Sequence, residues 1–269
     1  MAIGQLDLFS FYNSKEESTM LFISKSIRYL VRVSHHFKLF KPIIQILDAK
    51  YAGYLLKQKV KQLGENNLKG LLDLSFSFYC LGIKIKPAQV WEEIFYLLNI
   101  LKDIKPKYLM EIGTFMGGTL FLFCQVADPN AVIISVDLPY GRFGGGYPKW
   151  RIPLYKSFVK YNQKLHLLRL NSHDFKTFKL VQNILNNQLL DFLFIDGDHS
   201  YEGVKLDFEM YGPLVRKGGI IAFHDIVPGP EKHVGGVPIF WKEIKSQFKT
   251  LEIVKDWNRG KAGIGIIFK

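Results

Sequence analysis

Lys107–Thr119 reads KYLMEIGTFMGGT. An apolar run stops at Gly113, and Gly117 and Gly118 then open a second apolar run, TLFLFCQVA. The first run has the length of a buried strand, the glycines permit a tight turn, and the second run suits a helix. A strand that is apolar on both faces belongs inside a parallel sheet. The alternation continues outward through AVIISVD (131–137), KLHLLRL (164–170), LLDFLFID (189–196) and GGIIAFHD (218–225). Helical patterns lie over 175–188, 201–214 and 237–248. TLEIVKDW and GIGIIF, joined by a short glycine-containing turn, read as a terminal hairpin that adds an antiparallel strand. The expected fold is α/β, a doubly wound, mostly parallel seven-stranded sheet.

Upstream of this pattern the chain reads as helical. Ser14–Phe40 has Ser14 as a cap, Pro42 just past its end, and an apolar stripe flanked by Lys25, Arg28, Arg32 and Lys38. Further helices are expected over 43–63 and 67–81, and from Pro87 to the KPK turn at 105–107. The domain boundary is placed near residue 86. Residues 1–86 then form a helical region for capping, dimerisation or membrane-surface contact, and residues 87–269 the catalytic domain.

The composition narrows the function classes. With 48% hydrophobic residues the chain can build a large core. No run approaches the ~20 apolar residues of a membrane span. The start, MAIGQLDLFSFYNSKEE, lacks the order of a secretory leader. Cys80 and Cys124 sit in apolar surroundings and argue against a disulfide framework, which places the chain in the cytoplasm. The net charge is +12, and residues 1–86 carry thirteen Lys and Arg against six Asp and Glu. This bias suits an acidic partner, and residues 14–41 are read as a peripheral contact with anionic membrane. No nucleic-acid-binding module is recognisable, so nucleic acid is not the expected partner. A homo-oligomer and a small-molecule or glycan acceptor are expected.

Open α/β sheets bind ligands at the carboxyl ends of their strands, which puts Glu111, Asp137, Asn171, Asp196 and Asp225 on one edge. The first turn carries E-x-G-x-x-x-G in place of the dinucleotide pattern G-x-G-x-x-G. S-adenosyl-L-methionine has no phosphate and carries an ammonium group, so a carboxylate at Glu111 beside Gly113, Thr114, Gly117 and Thr119 suits its amino acid part. Asp137 can accept from a ribose diol, and Asn171, Ser172, His173 and Asp174 of LNSHD are offered to the adenine end.

Four stretches, EIGTFMGGT, ISVDLPYGRFGGGYPKW, LDFLFIDGDHSYEGVKLDFEMYGPLVRKGGIIAFHDI and GVPIFWKEIK, resemble the class I S-adenosylmethionine-dependent methyltransferases. Within these, the sugar and small-molecule O-methyltransferases, including cephalosporin-hydroxylase-like proteins, are most similar. The resemblance spans about residues 70–269. It implies a Rossmann-like fold and methyl transfer to a hydroxyl, in polysaccharide, glycolipid or natural-product assembly. It also implies a divalent metal in some members, held here by Asp196, His224 and Asp225, with Asp196 also bordering the cofactor. The histidine departs from the paired acidic pattern and leaves the metal open between Mg²⁺ and Mn²⁺, Zn²⁺ or Fe²⁺. Two residues compete as general base: Asp198 by position in D-G-D, and His199 by the ordinary titration range of imidazole. The loops PYGRFGGGYPKW (139–150) and VPGPEKHVGGVP (227–238) are expected to close the site, with Arg142, Tyr147, Trp150 and His233 as contacts. An RNA methyltransferase and a non-catalytic cofactor-binding scaffold are the alternatives.

Overall fold

The computed structural model describes Ser26 and residues 37–269, apart from Glu65, Arg142, Gly144 and Gly145. Most of the helix expected over 14–40, and with it most of the membrane contact, lies outside the described residues. No helix among the described residues is long and apolar enough to cross a membrane.

The strand around which the sheet is built is β3 (Tyr108–Ile112). It pairs in parallel with β4 (Val132–Val136) on one side and β6 (Leu190–Ile195) on the other. Outward from these lie β5 (Lys164–Leu168), β7 (Val215–His224), β9 (Ile264–Phe268) and β8 (Lys249–Ile253). The order is β5-β4-β3-β6-β7-β9-β8. The first five strands are parallel, whereas β9 runs antiparallel to both β7 and β8. The chain therefore has the expected seven-stranded, mostly parallel sheet with its C-terminal hairpin, and the last strand takes the inner place.

Alternation along the strands divides the core in two. Leu109, Phe192 and Phe194 enter one cluster, and Met110, Ile112, Leu193 and Ile195 the other. On the first face lie α1 (Phe37–Leu63), α2 (Leu68–Ser77), α3 (Trp91–Ile104), α4 (Gly118–Val126) and the short α5 (Ile152–Lys156). On the second lie α6 (Phe175–Leu185), α7 (Tyr201–Tyr211) and α9 (Val237–Ile244), the last preceded by the short α8 (Glu231–Val234). All nine residues of α4 are buried, as a helix apolar on nearly every side requires. It lies between the sheet, where Phe123 meets Phe192 and Phe194 edge to face, and the helices outside it. Leu56, Leu71 and Leu72 join this same core, so α1 and α2 pack on the sheet domain. Cys80 and Cys124 are buried and form no disulfide.

Three boundaries differ from those read in the sequence. Pro42 lies inside α1 instead of ending an earlier helix. A proline near the start of a 27-residue helix removes a single backbone bond, and the rest of the helix is anchored by Ala49, Ala52 and Leu56. The helix expected to reach residue 81 stops at Ser77, and β1 (Tyr79–Cys80) and β2 (Ile83–Lys84) form a tiny hairpin. Leu81 and Gly82 both have positive φ, as a primed two-residue turn demands. Finally, α3 begins at Trp91 and not at Pro87. The preceding segment crosses the start of α4 so closely that a Cβ on Gly118 would sit 2.3 Å from the Ile85 carbonyl and the Pro87 nitrogen.

Buried Glu93 ties α3 to the terminal hairpin, its carboxylate accepting the backbone N–H of Lys255 at 3.0 Å and of Gly263 at 2.9 Å. Glu93→Ala leaves both donors without a partner, and urea denaturation should show a loss of about 2–4 kcal/mol.

Candidate active site

The carboxyl edge of the sheet is organised by the end of β3. The Gly113 N–H donates to the Val136 carbonyl and the Asp196 N–H to the Ile112 carbonyl, both at 2.9 Å. Gly113 has φ +97°, and a Cβ there would lie 1.9 Å from the Asp196 carbonyl oxygen. Only glycine satisfies both constraints. The turn that follows wraps around Asp137, whose Oδ2 accepts the N–H of Thr114 at 3.1 Å and of Phe115 at 2.7 Å. Burial pushes the Asp137 carboxyl up to about 6 against the pull of these two bonds.

Two adjoining cavities open along this edge. The first is lined by Gly113, Asp137, Leu138, Asn171, Ser172, His173 and Asp198. The second is lined by Gln89, Thr114, Met116, Thr119, His199, His224 and Asp225. Gly113, Phe115, Phe143 and Asp196 belong to both walls.

In the second cavity, Asp196 Oδ1 lies 3.1 Å from His224 Nδ1 and 3.3 Å from His199 Nε2. Its Oδ2 accepts from Gln89 Nε2 at 2.7 Å. Asp225 Oδ1 accepts the Ala262 N–H at 2.7 Å, and its Oδ2 lies 3.4 Å from His224 Nδ1 and 3.5 Å from His199 Nδ1. Burial opposes charge on Asp196, but the His224 and His199 imidazoles outweigh it and hold the carboxyl below the usual range. Asp225 is lowered in the same way, with burial resisting and His224 prevailing. Reciprocally, burial opposes protonation of both histidines, yet the carboxylates raise His199 and raise His224 well above its ordinary value.

Several residues singled out in the sequence occupy other positions than expected. Glu111 is 0% exposed and stands behind the cavity wall, accepting from Thr119 Oγ1 at 2.5 Å and Ser135 Oγ at 3.0 Å. It supports Thr119 without reaching the cavity, because its place in the strand turns it toward α4. His224 was grouped with the metal ligands, but its Nδ1 spans the two carboxylates and its Nε2 is buried without a partner. The compact donor set is Asp196, His199 and Asp225, whose ligand atoms lie within 4.8 Å of one another. Asp198 faces the first cavity and not the second, and its Oδ1 accepts the Ser200 N–H at 2.9 Å. His173 borders the first cavity while its Nε2 lies 3.3 Å from buried Asp207. Asp174 caps α6, accepting from the Lys176 N–H. Tyr147 is buried against Tyr155. His233 contributes its backbone carbonyl, 2.8 Å from His199 Nδ1.

Two residues of the site escaped the sequence reading. Phe143 stacks on His199 with ring centroids 5.1 Å apart, and Gln89 holds Asp196. A phenylalanine among glycines and a glutamine in an apparent helix carry no local signal of chemistry.

A family model described as "Methyltransferase domain" matches residues 110–226, the span from β3 through β7 that builds the edge. Residues 110–226 are thus similar to a methyltransferase domain. An uncharacterized protein of Acanthamoeba polyphaga mimivirus, R132, is 36% identical over 119 residues, 43% of this chain and 50% of that protein. An uncharacterized protein of Sinorhizobium fredii, y4gI, is 28% identical over 172 residues, 63% of this chain and 18% of that protein. The chain thus spans half or less of the length of these curated relatives. The crystal structure of the O-methyltransferase from Bacillus cereus in complex with SAH is similar with a TM-score of 0.50 at 15% identity, covering 75% of this chain and 90% of that one. That likeness is one of fold.

Buried Glu111 gives the fold a pH response. Burial pushes its carboxyl up to about 8, with the Thr119 and Ser135 hydroxyls pulling the other way. A carboxyl raised above its unfolded value stabilises the fold at low pH and loses that contribution as pH rises through the folded value. Glu111→Gln mimics the protonated form, so its melting temperature relative to wild type should climb between pH 5 and 8 (~) in thermal scans.

Proposed function

We propose that the chain is an S-adenosylmethionine-dependent O-methyltransferase acting on a hydroxyl of a sugar or another polyhydroxylated small molecule. The observation that carries this reading is the pair of cavities with a shared wall. One is bounded by a glycine turn and a strand-end carboxylate, the other by imidazoles and carboxylates. Transfer between two ligands needs two such chambers in contact, with the reacting atoms held in line.

Gly113, Asp137 and Ser172 would hold the nucleoside end of the donor in the first cavity. When bound, S-adenosylmethionine supplies an electrophilic methyl group and leaves as a neutral thioether. The second cavity must then orient the acceptor oxygen and receive its proton. His199 suits this role better than Asp198. The His233 carbonyl engages Nδ1, and Nε2 faces Asp196 Oδ1 at 3.3 Å, so a proton taken from a hydroxyl at Nε2 is stabilised by that carboxylate. The Phe143 ring covers the imidazole and limits access of water. Asp198 is engaged by the Ser200 N–H, and it packs where only a glycine at residue 203 leaves room.

The donor set also fits a divalent cation, because carboxylate oxygens and an imidazole nitrogen converge from three chain positions. Asp196 and Asp225 would hold it, and its chemistry would be to acidify a vicinal hydroxyl of the acceptor.

Calorimetry with the demethylated product, SAH, tests the donor site. Wild type should bind, and Asp137→Asn should weaken binding about tenfold or more through the lost carboxylate. Asn can still accept the Thr114 and Phe115 N–H groups, so the turn survives. His199→Gln should keep SAH affinity and lose about 10²–10⁴ in transfer of labelled methyl to a panel of polyhydroxylated acceptors. A folded wild type that fails to bind SAH would refute the reading.

A further inference from the structure

Gln89 lies outside the matched domain, on the non-helical segment between β2 and α3, and its side chain is 4% exposed. Its Nε2 donates to Asp196 Oδ2 at 2.7 Å, while its Oε1 is buried with no partner. Turning the amide over offers no relief. An ionised carboxylate only accepts, so the flipped group would set oxygen against oxygen. An unpaired buried carbonyl costs about 1–3 kcal/mol, and no protein group offsets it here.

The missing partner must be an electron-poor centre near Asp196. The oxygen and nitrogen of one carboxamide are about 2.2 Å apart, which puts Oε1 within about 5 Å of Asp196 Oδ2. Oxygens sharing a magnesium-sized ion at ~2.1 Å each are about 3–4 Å apart, a spacing that a modest side-chain rotation provides. A neutral carbonyl beside two carboxylates adds a ligand without adding charge repulsion. We propose that Gln89 Oε1 is a ligand of a divalent cation shared with Asp196 and Asp225. This inference rests on the cation part of the proposed function and deepens it. The segment before α3 then completes a centre whose carboxylates come from the ends of β6 and β7.

The competing role is a pure anchor, in which Gln89 only donates a hydrogen bond to Asp196. Glutamate at residue 89 separates the two. It cannot donate when ionised, but it is a stronger cation ligand. Mn²⁺ is titrated into the full chain and followed by the paramagnetic resonance of the free ion. Wild type should bind, and Asp196→Asn and Gln89→Leu should each weaken binding about 10–100-fold. Gln89→Glu should bind at least as tightly as wild type. Equal loss in Gln89→Glu and Gln89→Leu would reduce Gln89 to an anchor and overturn the proposal. So would wild-type affinity in Gln89→Leu; if Asp196→Asn still lost binding, the cation itself would stand. A wild type that ignores Mn²⁺ overturns both cation statements. SAH affinity, measured on every variant, reports the integrity of the fold and the donor site separately. If Gln89→Leu does not fold, Gln89→Asn, whose amide is too short to reach, takes its place.

Discussion

The edge of this sheet depends on a missing methyl group. Because residue 113 has no Cβ, the end of β3 can lie directly against the carbonyl of Asp196 at the end of β6. That contact sets where the turn around Asp137 begins and where the Asp196 side chain emerges. Both cavities inherit their common wall from it. A larger residue would have to push the two strand ends apart, and the hydrogen bond from Asp196 N–H to Ile112 would be strained with them.

Around this contact the chain collects charge in a place where charge is expensive. Asp196, Asp225, His199 and His224 are buried or nearly so, and burial opposes the ionised form of each. The ionised form of each is stabilised only by its neighbours in the cluster. Removing one member therefore changes the titration of the rest, and effects within such a group do not add. The cluster is better regarded as one unit with four side chains than as a base and three bystanders.

The strands and their order of function were legible because apolar runs of strand length, each ending in a polar residue, have few other uses. Asp137, Asp196 and Asp225 could be placed on one edge from that pattern alone. What the pattern hid is of another kind. Pro87 looked like the first residue of a helix, but the crossing over Gly118 is a long-range constraint that local propensity does not report. Glu111 has a charged side chain at a strand end, yet the pleat turns it inward to Thr119 and Ser135. The proposed preference for His199 over Asp198 rests on the hydrogen-bond partners of each, which residue type does not report. Gln89 and Phe143 act through position, which no residue type announces.

Phe143 has one more consequence. Its ring belongs to the walls of both cavities and rests on the His199 imidazole. Whatever shifts the ring from one side alters the space on the other. Affinities at two sites that share a movable wall are thermodynamically linked, and the linkage is reciprocal. Were the proposed donor and acceptor to occupy the two chambers, this one ring would couple their affinities, and their order of filling and release would depend on this loop as much as on the ligands.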